Sequence, residues 1–386
     1  MSAIKRHAIT SLFGAKPQID VGRGVAEFHA GRPVLIGGGG DTLLALPVEG
    51  LDDRRLAEFV ALCAPALPRL VVTARRALAL GLDAATPMEV QLAANIDAAA
   101  VLTLVADVDV ECSVEAKAVG SAAMAAIKLV KLSQGLPAVI VADVDGARMS
   151  EHQVICVEAN AVAQFGEELT RSLVLASRAT VPLDSGSRAE FVVFRDAMGG
   201  SSAAIIIGRP DFSKPTLVRL HSACLTGDVF GSRRCDCGDQ LRLAVKRLEA
   251  IGEGIVLYLA QEGRGLGLAN KMRTYQMQDD GLDTVDANLT LGFDDDERDY
   301  GIAARMLQML DCRRVMLLTN NPAKLEGLAK FGIEIAGRLP LEAPINSDNR
   351  RYLTAKAARA GHHLNQVLAS LADPSEVGHD ATPLAP

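Results

Sequence analysis

Cys224, Cys235 and Cys237 lie close together in the string RLHSACLTGDVFGSRRCDCGDQ. A C-x10-C-x-C spacing lets two thiolates one residue apart, and a third across a loop, converge on one face of a metal. The chain between them must then turn back on itself. Soft sulfur favours zinc, and three protein ligands leave a fourth position for water, as in catalytic rather than closed structural sites. Zinc lowers the pKa of such a water towards neutrality. Two alternatives stay open: three buried thiols without metal, or closure by His221, three residues before Cys224. The remaining cysteines, Cys63, Cys112, Cys156 and Cys312, are scattered singles that fit a reducing cytosol better than a disulfide framework.

A chain of 386 residues with 49% apolar and 23% charged residues has room for two domains with sizeable cores. Its net charge of −7, from 40 Lys+Arg against 47 Asp+Glu, argues against a nucleic-acid binder but leaves room for a nucleotide pocket. Aromatics at 4%, with no Trp, offer no base-stacking platform. No apolar run approaches the roughly 18–20 residues of a membrane span. The start, MSAIKRHAITSLFGAK, lacks an apolar h-region. The expectation is a cytoplasmic, globular protein with no membrane and no nucleic-acid partner.

Strand-like runs (Arg32 to Ile36, Leu70 to Val72, Ala138 to Val141) alternate in the first half with helix-like stretches at Asp53 to Cys63 and Val114 to Leu132. This predicts α/β (α+β) layering. ATVPLDSGSRAEF, near 178–190, breaks any helix, so the domains are expected at 1–185 and 186–370, with a disordered tail at 371–386. In the second half, Thr216 to Leu220 reads as a strand running into the cysteines. Asp239 to Ile251 reads as an amphipathic helix stopped by Gly252. Ile255 to Leu259 and Val315 to Leu318 read as strands. Helices are expected through Asn270 and Tyr275, through Ile302 and Met306, and from Pro322 onward.

Arg219, Arg233, Arg234, Arg264 and Lys271 could clamp phosphates, although singly each reads as a surface charge. The loop Glu262 to Gly267 follows a strand and opens a helix, a good place for an anion, but its spacing is not a dinucleotide fingerprint. Gly37 to Gly40 reads as a turn. The run Asp294 to Asp299 packs five carboxylates around Arg298. By itself it reads as a solvated acidic helix start; the functional reading is a general base beside a phosphate-facing arginine.

Together, RLHSACLTGDVFGSRRCDCGDQL, YLAQEGRGLGLANKMRTYQMQDDGLDTVDANLTLGFDDDERDYGIAARML and VMLLTNNPAKLEGL resemble GTP cyclohydrolase II, collinearly over roughly residues 190–365. That family opens the purine of GTP, releasing formate and pyrophosphate on the route to riboflavin. The resemblance implies one zinc ion on Cys224, Cys235 and Cys237, and magnesium with the substrate pyrophosphate. It implies GTP binding by Arg219, Leu220, His221, Ser222, Ala223, Gln240, Glu262, Gly263, Arg264, Thr284, Thr319 and Lys324. Asp296 would be the proton acceptor, Arg298 the residue attacking the α-phosphate, and Tyr275 the active-site tyrosine tied to formate release. An arginine is essentially always protonated, so Arg298 fits better as a phosphate clamp than as a nucleophile. The family usually carries Glu where this chain has Ala223.

Residues 20–170 are similar in outline to 3,4-dihydroxy-2-butanone 4-phosphate synthase, through FHAGRPVLI and PAVIVADVDGARM. The synthase's acidic loop is reduced to Asp41, and no His lies between His29 and His152, so a degenerate, inactive synthase-like domain is expected. Both families imply a homodimer. The competing readings are a bifunctional enzyme with an active N-terminal synthase and a silent GTP-binding regulator.

Overall fold

A computed structural model of the chain describes residues 14–359 and 364, apart from 94, 109 and 111–115. The tail expected at 371–386 lies outside the described residues. The chain forms two compact units that interleave along the sequence. One comprises Met1–Val174, Asp196–Gly200 and Gln261–Asp299; the other comprises Leu175–Arg195, Ser201–Ala260 and Tyr300–Pro386.

The first unit is built on a seven-stranded sheet: β1 (Val34–Gly38), β2 (Asp41–Pro47), β3 (Arg69–Val72), β4 (Met88–Gln91), β5 (Ala116–Ala118), β6 (Ala138–Asp143) and β7 (Cys156–Glu158), in the order β5-β4-β3-β6-β2-β1-β7. All its pairings are antiparallel except β1 with β7. Gly39 and Gly40, both at positive φ, make the tight turn between β1 and β2. The strands read as near-continuous apolar runs because both faces of the sheet are covered. Val34, Ile36, Leu43, Ala45, Val139 and Val141 face Val21, Val25, Ala126, Leu129, Val162 and Phe165 of helices Lys16–His29, Ser121–Leu132 and Ala159–Arg171.

Residues one position along, Leu35, Leu44, Leu46, Leu70, Val72 and Ile140, point to the opposite core, as a period of two requires. That core takes Leu56 and Phe59 of helix Asp53–Cys63, and Val101 and Val105 of helix Ala98–Ala106. It also takes Leu266, Met277, Ala287, Leu291 and Phe293 from the far half of the sequence, none more than 6% exposed. Each large apolar side chain buried this way contributes about 1.5–3 kcal/mol. Segment 261–299 is thus part of the hydrophobic core of the N-terminal sheet.

The second unit holds β8 (Val174–Pro182), β9 (Arg188–Arg195), β10 (Ser201–Ile207), β11 (Thr216–Ser222), β12 (Gly254–Leu259), β13 (Arg314–Leu318) and β14 (Glu334–Leu339), ordered β14-β13-β11-β12-β10-β9-β8. The Pro- and Gly-containing segment 178–190 forms the turn and flanks between β8 and β9, with Gly186 N–H donating to Leu183 O. β11 runs parallel to β12 and β13, and β13 to β14; β10 is antiparallel to β9 and β12. Helix Cys237–Ile251 lays Leu241, Val245 and Leu248 on this sheet and ends at Gly252, φ +94°, as its sequence predicts.

The mixed sheets and their helices bear out the α/β (α+β) class. Two local expectations are corrected. The helix read over 114–132 starts only at Ser121, because Gly120 caps it and Ala116–Ala118 pairs with β4 as an edge strand. The acidic run 294–299 is not a helix start either: the helix begins at Gly301, and the carboxylates ahead of it are drawn into ion pairs. Among the described residues, no helix is long and apolar enough to cross a membrane.

Candidate active site

In open α/β sheets, ligand-binding residues gather beyond the carboxyl ends of parallel strands. Cys224 follows β11, and Thr319 follows β13. Ala223 N–H donates to Leu259 O, so the residue standing where the family carries Glu uses its backbone to extend the β11–β12 ladder. The chain then turns tightly through Leu225–Val229, and Cys237 opens the helix that follows.

The ligand atoms of Cys224, Cys235 and Cys237 lie within 4.8 Å of one another, and the Sγ atoms of Cys224 and Cys235 are 3.7 Å apart. The first two cysteines are buried and the third half-buried, and all three are free thiols. Mutual hydrogen bonding, Cys224 first, holds the thiols of Cys235 and Cys237 above the ordinary range. Three thiols so close ionise together only with a cation among them, so this donor set fits a metal ion. Gly227 is part of the fit. A Cβ there would lie 2.9 Å from Cys235 Sγ and 3.1 Å from Cys224 Sγ, so only glycine lets the turn close over the sulfurs.

His221 does not join this group. Its Nε2 lies 3.0 Å from Asp228 Oδ1. Burial holds the ring below its ordinary pKa, so it is neutral and donates Nε2–H to Asp228. The same carboxylate accepts the Tyr258 hydroxyl and the Cys224 N–H, each at 3.0 Å, and the His221 and Tyr258 rings stack at 5.6 Å. Asp228 therefore ties the first cysteine to β11 and β12. No sequence signal marked it, because nothing in ACLTGDVF separates it from an ordinary turn aspartate.

Around the ends of β11 and β13, Arg219 donates to Leu318 O (3.0 Å) and Gln240 Oε1 (2.5 Å), and Lys324 Nζ donates to Leu220 O (2.8 Å). Thr319 Oγ1 accepts Asn321 N–H at 3.0 Å. Arg219, Lys324 and Thr319 are all buried, as polar groups held by such partners can be. The structure thus brings Arg219, Leu220, Gln240, Thr319 and Lys324 together, with Ser222 and Ala223 at the end of β11.

Glu262, Gly263, Arg264, Tyr275, Thr284, Asp296 and Arg298 belong to the first unit. In the Glu262–Gly265 turn, Gly263, Arg264 and Gly265 all have positive φ (+61°, +59° and +95°). For Arg264 this is an uncommon conformation, of the kind that clusters at ligand-binding sites. Its guanidinium is held by Asp295, through Oδ1 at 2.5 Å and the backbone O at 3.0 Å. Lys271 Nζ donates to Glu262 Oε1 at 2.9 Å and lies 5.7 Å from the centre of the Tyr275 ring. Arg298 binds Asp296 with both arms, Nε to Oδ1 at 2.7 Å and Nη2 to Oδ2 at 2.5 Å. Thr284 begins helix Thr284–Thr290, capped by Asp283, and its hydroxyl is 3.4 Å from Gln278 Nε2.

Residues 175–340 match the family model described as GTP cyclohydrolase II. A protein named GTP cyclohydrolase-2 from Azospirillum brasilense is 46% identical over 250 residues, covering 63% of this chain and 65% of that one. Another of that name, from Xylella fastidiosa, is 38% identical over 360 residues, covering 92% of this chain and 89% of that one. A riboflavin biosynthesis protein RibBA from Bacillus mycoides is 52% identical over 162 residues, covering 42% of this chain and 41% of that one.

Proposed function

The chain belongs to the GTP cyclohydrolase II family, and on that footing we propose that it opens the purine ring of GTP with release of formate and pyrophosphate, an early step of riboflavin biosynthesis. The observation that carries this reading is the convergence of three thiols, two buried and one half-buried, beyond the end of β11, within the span of the family match.

Cys224, Cys235 and Cys237 would hold one zinc ion. Bound there, zinc supplies an acidified water and a polarising charge for attack on the purine. Arg219, Leu220, His221, Ser222, Ala223, Gln240, Thr284, Thr319 and Lys324, with the Glu262-Gly263-Arg264 turn, would bind GTP. Buried cations such as Arg219 and Lys324 favour a polyanion, and guanidinium matches phosphate oxygens in a bidentate fork. Magnesium would accompany the pyrophosphate. Asp296 would accept a proton and Tyr275 would act in the steps leading to formate. The bidentate pairing of Arg298 with Asp296 supports Arg298 as a fixed positive charge facing phosphate, rather than a nucleophile. The N-terminal half would lack synthase chemistry, and the protein would work as a cytoplasmic homodimer.

The test is incubation of the purified chain with GTP, magnesium and zinc, with formate and pyrophosphate quantified together. Equal amounts of both are expected. Neither product, from protein that retains zinc and GTP, would overturn the reading in favour of a silent GTP binder.

A further inference from the structure

We propose that Lys131, in the N-terminal half, is a positioning residue for ring opening: its ammonium fixes Glu297, and Glu297 fixes the turn of Arg264 and the loop of Asp296 and Arg298. The inference rests on the reading that these residues serve the cyclohydrolase reaction.

Lys131 lies in the last turn of helix Ser121–Leu132, where a cation suits the negative helix end. Its Nζ is 2.5 Å from Glu297 Oε1 and 5.7 Å from the centre of the Phe293 ring. Glu297 joins two segments. Oε1 also accepts Asp294 N–H at 2.9 Å, closing the acidic loop on itself. Its backbone N–H donates to Arg264 O at 3.1 Å, and a Cβ on Gly265 would meet Glu297 O at 2.8 Å, so the loop and the turn touch backbone to backbone. The left-handed Arg264 is held in place from the other side by Asp295.

The neighbouring acids have counter-charges of their own: Asp294 has Arg75, Asp295 has Arg264, and Asp296 has Arg298. Without the ammonium, Glu297 would be left negative among Asp294, Asp295 and Asp296. Repulsion would then spread the loop that spaces Arg264 from Asp296 and Arg298. The core beneath does not depend on this ion pair. Leu266, Met277, Leu291 and Phe293 are buried regardless, and Lys131 and Glu297 retain 24% and 19% exposure. Loss of the pair should therefore displace the loop without unfolding the unit. A misplacement of about 1 Å costs on the order of 100-fold in rate.

The experiment compares full-length, zinc-loaded wild type, Lys131→Met, Lys131→Arg, Glu297→Gln and the Lys131→Met/Glu297→Gln pair. It reads kcat and KM for formate and pyrophosphate, zinc content and Tm. Lys131→Met is expected to lose about 10- to 100-fold in kcat with zinc content and Tm retained, and Lys131→Arg to recover most of it. The double variant is expected to be no worse than the poorer single one, because both remove the same link. Unchanged kcat in Lys131→Met, no recovery in Lys131→Arg, or multiplicative losses in the double variant would each overturn the proposal. Should Lys131→Met fold poorly, Glu297→Gln against Lys131→Arg carries the comparison. Asp296→Asn run in parallel separates the two levels: wild-type turnover there would sink the underlying reading, whatever Lys131 does.

Discussion

Arg76 is 1% exposed, and its guanidinium donates to the carbonyls of Leu104 (2.8 Å), Thr290 (2.9 Å) and Thr103 (3.1 Å). These carbonyls lie in the last turns of helices Ala98–Ala106 and Thr284–Thr290, at the negative poles; Thr103 O also accepts the Asp107 N–H at 3.1 Å, whereas those of Leu104 and Thr290 lie beyond the helical ladder. Burial pushes the guanidinium down to about 10, so at neutral pH it remains a cation, compensated by those carbonyls. Arg76→Met keeps the bulk and removes every donor. Two carbonyls, those of Leu104 and Thr290, are then stranded at about 1–3 kcal/mol each, partly offset because the charge no longer has to be desolvated, for a net loss of about 3 kcal/mol. At about 2–4 °C per kcal/mol for a unit of roughly 150–250 residues, the melting transition should fall by about 6–12 °C. With no Trp in the chain, far-UV circular dichroism is the probe, and two transitions are expected from two units. Metal content should stay unchanged, since the cysteines belong to the other unit. Arg76→Lys should restore only part of the loss, because an ammonium cannot reproduce the planar fork. A shift in the first unit below about 1 kcal/mol for Arg76→Met would refute the claim that one buried cation satisfies both helix ends.

Gly227→Ala should weaken metal binding by about 10-fold or more, as a methyl is forced against the sulfurs; chelator competition measures this, and unchanged affinity would mean the turn gives way freely. Tyr275→Phe keeps the ring beside Lys271 but loses the hydroxyl, so formate release should slow more than pyrophosphate release. Equal slowing would remove the tyrosine's assigned role. Asp228→Asn leaves three donors competing for one carbonyl oxygen and should cost the second unit about 1.5–3 kcal/mol, read as a shift of its circular dichroism transition alone.

Much of the secondary structure was legible because apolar period and punctuation agree. Helix Asp53–Cys63 falls where it was expected, and Pro322 opens its helix. The thiol cluster was legible because spacing constrains it directly. The other metal option, closure by His221, turned on Asp228, whose role depends on three partners from β11, β12 and the turn. Periodicity marks an apolar face but not what covers it. Nothing in residues 266–293 announces that Leu266 and Phe293 complete the core of a sheet more than a hundred residues upstream. Nothing in the sequence pairs Lys131 with Glu297 for the same reason: their contact spans 166 positions.

That shared core bears on how such a protein can be taken apart or reassembled. A protease nicking the exposed turn at 184–186 would cleave the polypeptide, yet the downstream fragment would stay anchored by the side chains it has plugged into β1–β7. Exchange of the front half for an unrelated cassette would have to supply a new socket of matching shape for Leu266, Met277, Leu291 and Phe293. The two halves are therefore bound to a common inheritance: a drift in one socket residue selects for compensation in the other half, whatever chemistry either half performs.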